Sequence, residues 1–234
     1  MRPRIFCFAL LAALLFADSA RAQRHVLNMA EHDNKAYYFG LTFGLNFSQY
    51  RLRYDPSFAA TDTFKTIQPY WAPGFNLGLM GNLRMSRLLD LRFVPSLSFA
   101  EKQLKFNTPL QEKIEDRAIE SIYLHLPLQL KFKSDRVKNF RFYGLGGGKF
   151  DYDLAANARS RRRDEFLKVT PIDLGYEVGV GFEFYYPNFI FSPEIKLSQG
   201  LKNQLFRGDR SLPLVNAIDE LNTRMIVFSI HLEG

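Results

Sequence analysis

The stretch IDLGYEVGVGFEF, Ile172 to Phe184, puts a large apolar residue at every even position and an acid or a glycine at every odd one. Ile172, Leu174, Tyr176, Val178, Val180, Phe182 and Phe184 form one set; Asp173, Gly175, Glu177, Gly179, Gly181 and Glu183 form the other. Side chains of a strand alternate between its faces, so this is a strand with one side suited to hydrocarbon and the other to charge or to empty space. A helix, with its longer period, would mix the two sets.

The same alternation recurs on both sides of this stretch. Upstream, Phe39, Leu41, Phe43, Leu45 and Phe47 oppose Gly40, Thr42, Gly44, Asn46 and Ser48. Near Gln49 the apolar set passes to Tyr50, Leu52 and Tyr54, a slip of phase that predicts a β-bulge or a change of environment. Further strands are predicted around Phe75 to Met85, Leu89 to Phe99, Ile122 to Phe132 and Phe140 to Tyr152, the last with Gly146, Gly147 and Gly148 at its middle. Downstream come Phe189 to Leu197 and Met225 to Leu232, which makes eight strands. Long connections (55–72, 107–118, 154–168, 202–222) follow strands one, three, five and seven, and short ones (86–88, 133–139, 186–188) follow two, four and six. That asymmetry is the rule of outer-membrane barrels, so the predicted fold is all-β, an eight-stranded antiparallel up-and-down transmembrane β-barrel with both termini periplasmic.

A soluble eight-stranded barrel shows the same period with the faces exchanged. The glycines discriminate. Gly44, Gly78, Gly175, Gly179 and Gly181 share the polar face, where a narrow lumen needs small residues beside long charged ones; a water-facing surface has no such need. Tyr37, Tyr38, Tyr70, Trp71, Phe140, Tyr185 and Tyr186 gather near strand ends and predict an interfacial girdle.

The chain has 234 residues, enough for a large core, and is 47% hydrophobic and 15% aromatic, too apolar for a disordered chain. Arg2 and Arg4 precede an apolar run from Ile5 to Ala17, and Ala20-Arg21-Ala22 supplies small residues at the positions a signal peptidase reads. The organisation expected is therefore a signal peptide over 1–22, a polar periplasmic lead-in over 23–36 and the barrel over 37–234. The single cysteine, Cys7, leaves with the signal, which excludes disulfides, thiol catalysis and cysteine-bound metal in the mature protein. Removing Arg2, Arg4, Arg21 and Asp18 leaves 28 basic against 23 acidic residues, a net charge of +5. The strand-borne charges are of both signs and point away from the aromatics, so nucleic acid is not an expected partner.

The runs YYFGLTFGLNFSQYRLRY (Tyr37 to Tyr54), APGFNLGLMGNLRMSRLLDLRFVPSLSFAEKQLKF (Ala72 to Phe106) and IYLHLPLQLKFKS (Ile122 to Ser134) resemble the PorT family of outer-membrane proteins from Bacteroidetes. The resemblance covers essentially the whole mature chain. It implies an eight-stranded barrel required by the type IX secretion system, which exports cargo proteins bearing a C-terminal sorting domain and in some species supports gliding motility. It implies other components of that system as partners; it says nothing of catalysis and carries over no functional residues, and no enzymatic activity, cofactor or small-molecule substrate is expected. The alternative is a stand-alone barrel acting in adhesion or small-solute passage.

The residues themselves carry no enzymatic signature. No metal-ligand spacing and no nucleophile elbow is present, and GLGGGK at Gly144 to Lys149 lies within a strand where a phosphate loop would need a following helix. His125 faces the lumen, where Glu177 is a candidate partner, and His25 and His32 lie in the lead-in. Candidate partner contacts are the aromatic and apolar residues of the long loops, Phe58, Phe64, Tyr70, Trp71, Phe206 and Leu214. Arg159, Arg161, Arg162 and Arg163 form a basic cluster suited to lipopolysaccharide phosphates, and outer-membrane lipid is expected around the wall. With eight strands the interior holds side chains and little else, so the lumen charges predict a salt-bridged plug.

Overall fold

The computed structural model describes residues 26–56, 66–107, 115–155, 169–206 and 217–234. Its strands are β1 (Tyr37–Tyr54), β2 (Thr66–Tyr70), β3 (Ala72–Arg84), β4 (Leu89–Phe93), β5 (Ser96–Asn107), β6 (Glu115–Lys133), β7 (Phe140–Asp153), β8 (Ile172–Tyr185), β9 (Ile190–Gly200) and β10 (Ile218–Glu233). All strand pairings are antiparallel, and β1 pairs with both β3 and β10, so the sheet closes on itself. Since β2 with β3, and β4 with β5, each form one interrupted stave, the ring has eight staves, as the alternation predicts.

The two interruptions have different causes. Across Val94 and Pro95 the pairing with β3 keeps its register, from Gly81 opposite Phe93 to Gly78 opposite Ser96. Pro95 has no N–H to give to the ladder, and its carbonyl still accepts from the Leu79 amide at 3.0 Å. Between β2 and β3 the register does shift. Tyr70 opposes Gln103 and Phe75 opposes Phe99, so one residue more is used on this side than on β5. This is a bulge, and through it the adjacent Tyr70 and Trp71 both face outward.

The slip predicted near Gln49 is not a bulge. β1 keeps one register with β10 from Gly40 opposite Glu233 to Arg53 opposite Glu220, shifting only between Arg53 and Tyr54. Tyr50 stays in the inward phase and is fully buried; what changes is the interior, which becomes apolar towards the loop end. Three strands also begin inside predicted loops, β2 at Thr66, β6 at Glu115 and β10 at Ile218. Around β2 the inward face carries apolar residues such as Ile67 and Leu104, so the polar-in pattern that marks the other staves is lost there.

The faces are inverted relative to a soluble protein. Phe39 is 65% exposed and Val180 56%, while Arg92, Lys131 and Glu177 are 0% exposed. Such an apolar wall around a charged interior requires hydrocarbon outside it. Cross-strand aromatics reinforce the wall: Phe75 stacks on Phe99 with ring centres 4.6 Å apart, across a directly opposed pair. The inward glycines make room for neighbours. A Cβ on Gly181 would stand 2.4 Å from the Tyr143 ring, and one on Gly179 would stand 2.8 Å from Lys196 Cβ. Two residues assigned to the girdle by position, Tyr38 and Tyr185, point into the lumen because they hold inward phase on β1 and β8.

Candidate functional site

The interior is a column of paired charges contributed by β4 and by β6 to β10. At its turn-end half, Arg92 on β4 reaches Glu194 on β9 at 2.6 Å and lies 3.8 Å from Glu233 on β10. The Tyr143 hydroxyl also donates to Glu194, at 2.8 Å. Lys131 pairs with Glu183 and lies 3.7 Å from Glu233. Lys133 pairs with Asp90 at 2.6 Å, and Tyr38 donates to the same carboxylate at 2.7 Å.

Above this layer His125 stands between two acids. Its Nδ1 meets Asp151 and its Nε2 lies 3.2 Å from Glu177, an arrangement an imidazolium satisfies because both of its nitrogens then donate. Gln129 and Lys196 complete Glu177 at 2.6 and 3.2 Å, and Lys149 pairs with Asp151 at 2.6 Å. The sequence placed His125 beside Glu177 correctly. Its partner Asp151, on β7, follows only from the register, in which the two residues are directly opposed.

Buried ion pairs gain little over an apolar core, but removing one member strands the other at a cost of about 3–5 kcal/mol. The column is thus a filled interior of mutually dependent charges. At the loop end the chemistry changes. Lys102 Nζ donates to the Tyr123 hydroxyl and lies 5.0 Å from the centre of the Tyr50 ring. Beyond it Ile67, Leu104, Val169, Leu205, Ile218 and Leu221 pack into an apolar cap.

The turn end is closed by the polar lead-in, whose sequence carries no strand alternation. Residues Ala30–Asn34 form a 3-10 helix seated in the mouth of the barrel. Asp33 takes Arg136 at 3.0 Å and Arg141 at 2.9 Å. Arg84 donates to the carbonyls of His32, at 3.0 Å, and of Asp33. Arg136 donates to the Asn28 carbonyl and spreads over the Tyr185 ring, 3.7 Å from its centre. Asn28 and Asn139 lock the start of the segment, through Asn28 Nδ2 to the Tyr185 carbonyl at 2.9 Å and Asn139 Nδ2 to the Val26 carbonyl at 3.0 Å. His32 is 3% exposed, edge-on to the Tyr38 ring at 4.5 Å, and burial lowers its pKa from 6.5 to about 4. The available signal was a short acidic segment, Glu31 and Asp33, just ahead of the first strand, with Arg136 in a turn that projects to the same end.

The proposed contact residues are only partly within the described residues. Tyr70 and Trp71 are exposed, but on the outer wall at the β2–β3 bulge, which corrects their placement in a loop. Lys105 Nζ stands 4.5 Å from the centre of the Tyr70 ring. Phe206 is half-buried, next to Leu205 of the cap. Phe58, Phe64, Leu214 and the cluster Arg159, Arg161, Arg162 and Arg163 lie outside the described residues.

Residues 16–205 match the family described as "Outer membrane protein beta-barrel domain". Comparison with curated proteins gives no match. Among solved structures the chain is similar to OprG from Pseudomonas aeruginosa, at 15% identity over 84% of this chain and 93% of that one, with a TM-score of 0.49. It is also similar to Neisserial surface protein A, at 9% identity over 84% and 96% with a TM-score of 0.43. A third is Ail of Yersinia pestis, in complex with the heparin analogue sucrose octasulfate, at 10% identity over 86% and 100% with a TM-score of 0.38.

Proposed function

The chain belongs to the outer membrane β-barrel domain family, and from its place in the outer membrane we propose that it is a non-enzymatic accessory component of type IX secretion, acting by contact with other components of that machinery. The observation that carries contact over conduction is the filled lumen, where Arg92, Lys131 and Glu177 are completely buried among their partners. A barrel so filled has no path for a protein, so its working surfaces are its loops, its turn-end face and its wall. The secretion assignment itself rests on the resemblance of Tyr37 to Tyr54, Ala72 to Phe106 and Ile122 to Ser134 to the PorT family.

In this reading the turn end and both termini face the periplasm and the long connections face outward. Tyr70 and Trp71, side by side on the wall, are anchors for a membrane-embedded partner. His125 serves the column, held by Asp151 and Glu177, and takes no part in chemistry. A second reading, a stand-alone adhesion barrel, is favoured by the arginine run Arg159 to Arg163, whose guanidinium groups suit lipopolysaccharide phosphates or a sulfated surface.

Deletion of the protein is expected to leave cargo with C-terminal sorting domains trapped in the periplasm. Complementation with a chain shortened within 57–65 or 207–216 should restore a heat-modifiable barrel without restoring export. Full export in the deletion strain would refute the secretion role. Loss of surface attachment alone on deletion, reproduced by replacing the four arginines with glutamine, would establish the second reading.

A further inference from the structure

We propose that residues 26–35 form an acid-released strap, seated in the turn-end mouth at neutral pH and loosened when the His32 imidazole takes a proton. The inference stands independently of the secretion role.

The seat is built for a neutral ring. His32 is enclosed, edge-on to Tyr38 of β1 at 4.5 Å and to Tyr185 of β8 at 6.2 Å, and neither ring nitrogen has a hydrogen-bond partner among the described residues. The charged groups around it come from every neighbouring element. Arg84 of β3 binds the carbonyl of His32, Arg141 of β7 and Arg136 of the turn before β7 hold Asp33, and Lys35 follows on the strap itself. The acids are Asp33, Glu183 of β8 and Glu233 of β10; each already has a partner, although Glu233 keeps one oxygen, Oε2, without a hydrogen bond among the described residues. Asp33 has two arginines; Glu183 has Lys131 and the Tyr185 hydroxyl; Glu233 accepts from Ser192 at 2.8 Å. A proton on His32 would therefore sit in an enclosed pocket where neither ring nitrogen is bonded to a carboxylate and where cations stand close by.

The sign of the linkage follows. Burial lowers the pKa of the seated His32 to about 4, against the opposing pull of Glu233 and Glu183, while a released strap returns the ring to water and to 6.5. The released state therefore binds the proton more tightly. Seating is at full strength above the ordinary pKa, weakens as pH falls from there, and reaches its floor below about 4. Between pH 7.5 and pH 5 the opening equilibrium should rise about 30-fold.

Hydrogen exchange on the intact barrel in lipid nanodiscs tests this, with rates corrected for the intrinsic effect of pH. Amides of the strap, including His32 N bonded to Met29 O and Lys35 N bonded to His32 O, should lose about 30-fold protection at pH 5, while the ladder between β1 and β10 keeps its own. His32→Gln, neutral at both pH values, should show no such loss. Wild-type protection that stays flat, or a His32→Gln strap that loosens in parallel, would overturn the proposal. Should His32→Gln fail to seat even at pH 7.5, the imidazole titration of the wild type read by NMR decides instead: a midpoint near 4 upholds the strap, and one near 6.5 overturns it.

Discussion

A Cβ on Gly181 would stand 2.4 Å from the ring of Tyr143, whose hydroxyl serves Glu194, whereas one on Gly146 would meet nothing closer than the Glu177 carbonyl at 3.9 Å. Gly181→Ala should therefore displace Tyr143 and destabilise the barrel by about 1–3 kcal/mol. Gly146→Ala should leave it unchanged or stabilise it by about 0.5–1 kcal/mol, since glycine within a strand costs about that much relative to alanine. Urea titration of the refolded barrel in lipid vesicles would measure both, and equal effects would mean that the two faces of β7 and β8 are misassigned. The inward placement of Gly181 was legible in the sequence, because it shares a phase with Glu177 and Glu183. Its partner was not, because Tyr143 comes opposite it only through the register of β7 with β8. Tyr38 and Tyr185 were misread for a different reason. Their nearness to strand ends outweighed their phase, and phase is the property that sets where a strand residue points.

The eight staves were legible because a membrane barrel imposes one pattern throughout its apolar band. The rest escaped where that band ends. β2 lies above it, and its inward Ile67 belongs to the apolar cap, so alternation there gave no polar set to recognise. The strap escaped because a single turn of 3-10 helix has no period to detect, and what holds it is a set of arginines contributed by β3, β7 and the turn before β7. Within the band the test is direct. Val180, outward on β8, should lose about 2–4 kcal/mol on replacement by arginine near the mid-plane. The heat-modifiable band on an unboiled gel should weaken correspondingly, and unimpaired assembly of Val180→Arg would contradict the lipid-facing assignment. On the same wall Gly144, Gly146 and Gly148 leave the backbone of β7 bare, flanked by Leu128 and Leu130 of β6 and by Val178 and Val180 of β8.

The molecule is closed three times along its axis, by the strap, by the charged column and by the apolar cap around Tyr50, Leu104 and Leu221. Removing any one of them leaves two. In a planar bilayer the wild type should show no stepwise conductance at neutral pH, and a chain lacking 26–34 should remain closed; steady ohmic openings in either would refute the filled lumen and revive passage of small solutes. One acid in the column has a further consequence. Glu233 lies at the far end of β10, the last stave to emerge, and its carboxylate approaches both Arg92 and Lys131. Until that stave is zipped to β1, with Glu233 opposite Gly40, these two cations lack part of their neutralising charge. Closing the ring and balancing its interior are thus a single event, which gives assembly an electrostatic proofreading step: an incomplete sheet is marked as unfinished by the charge it still exposes.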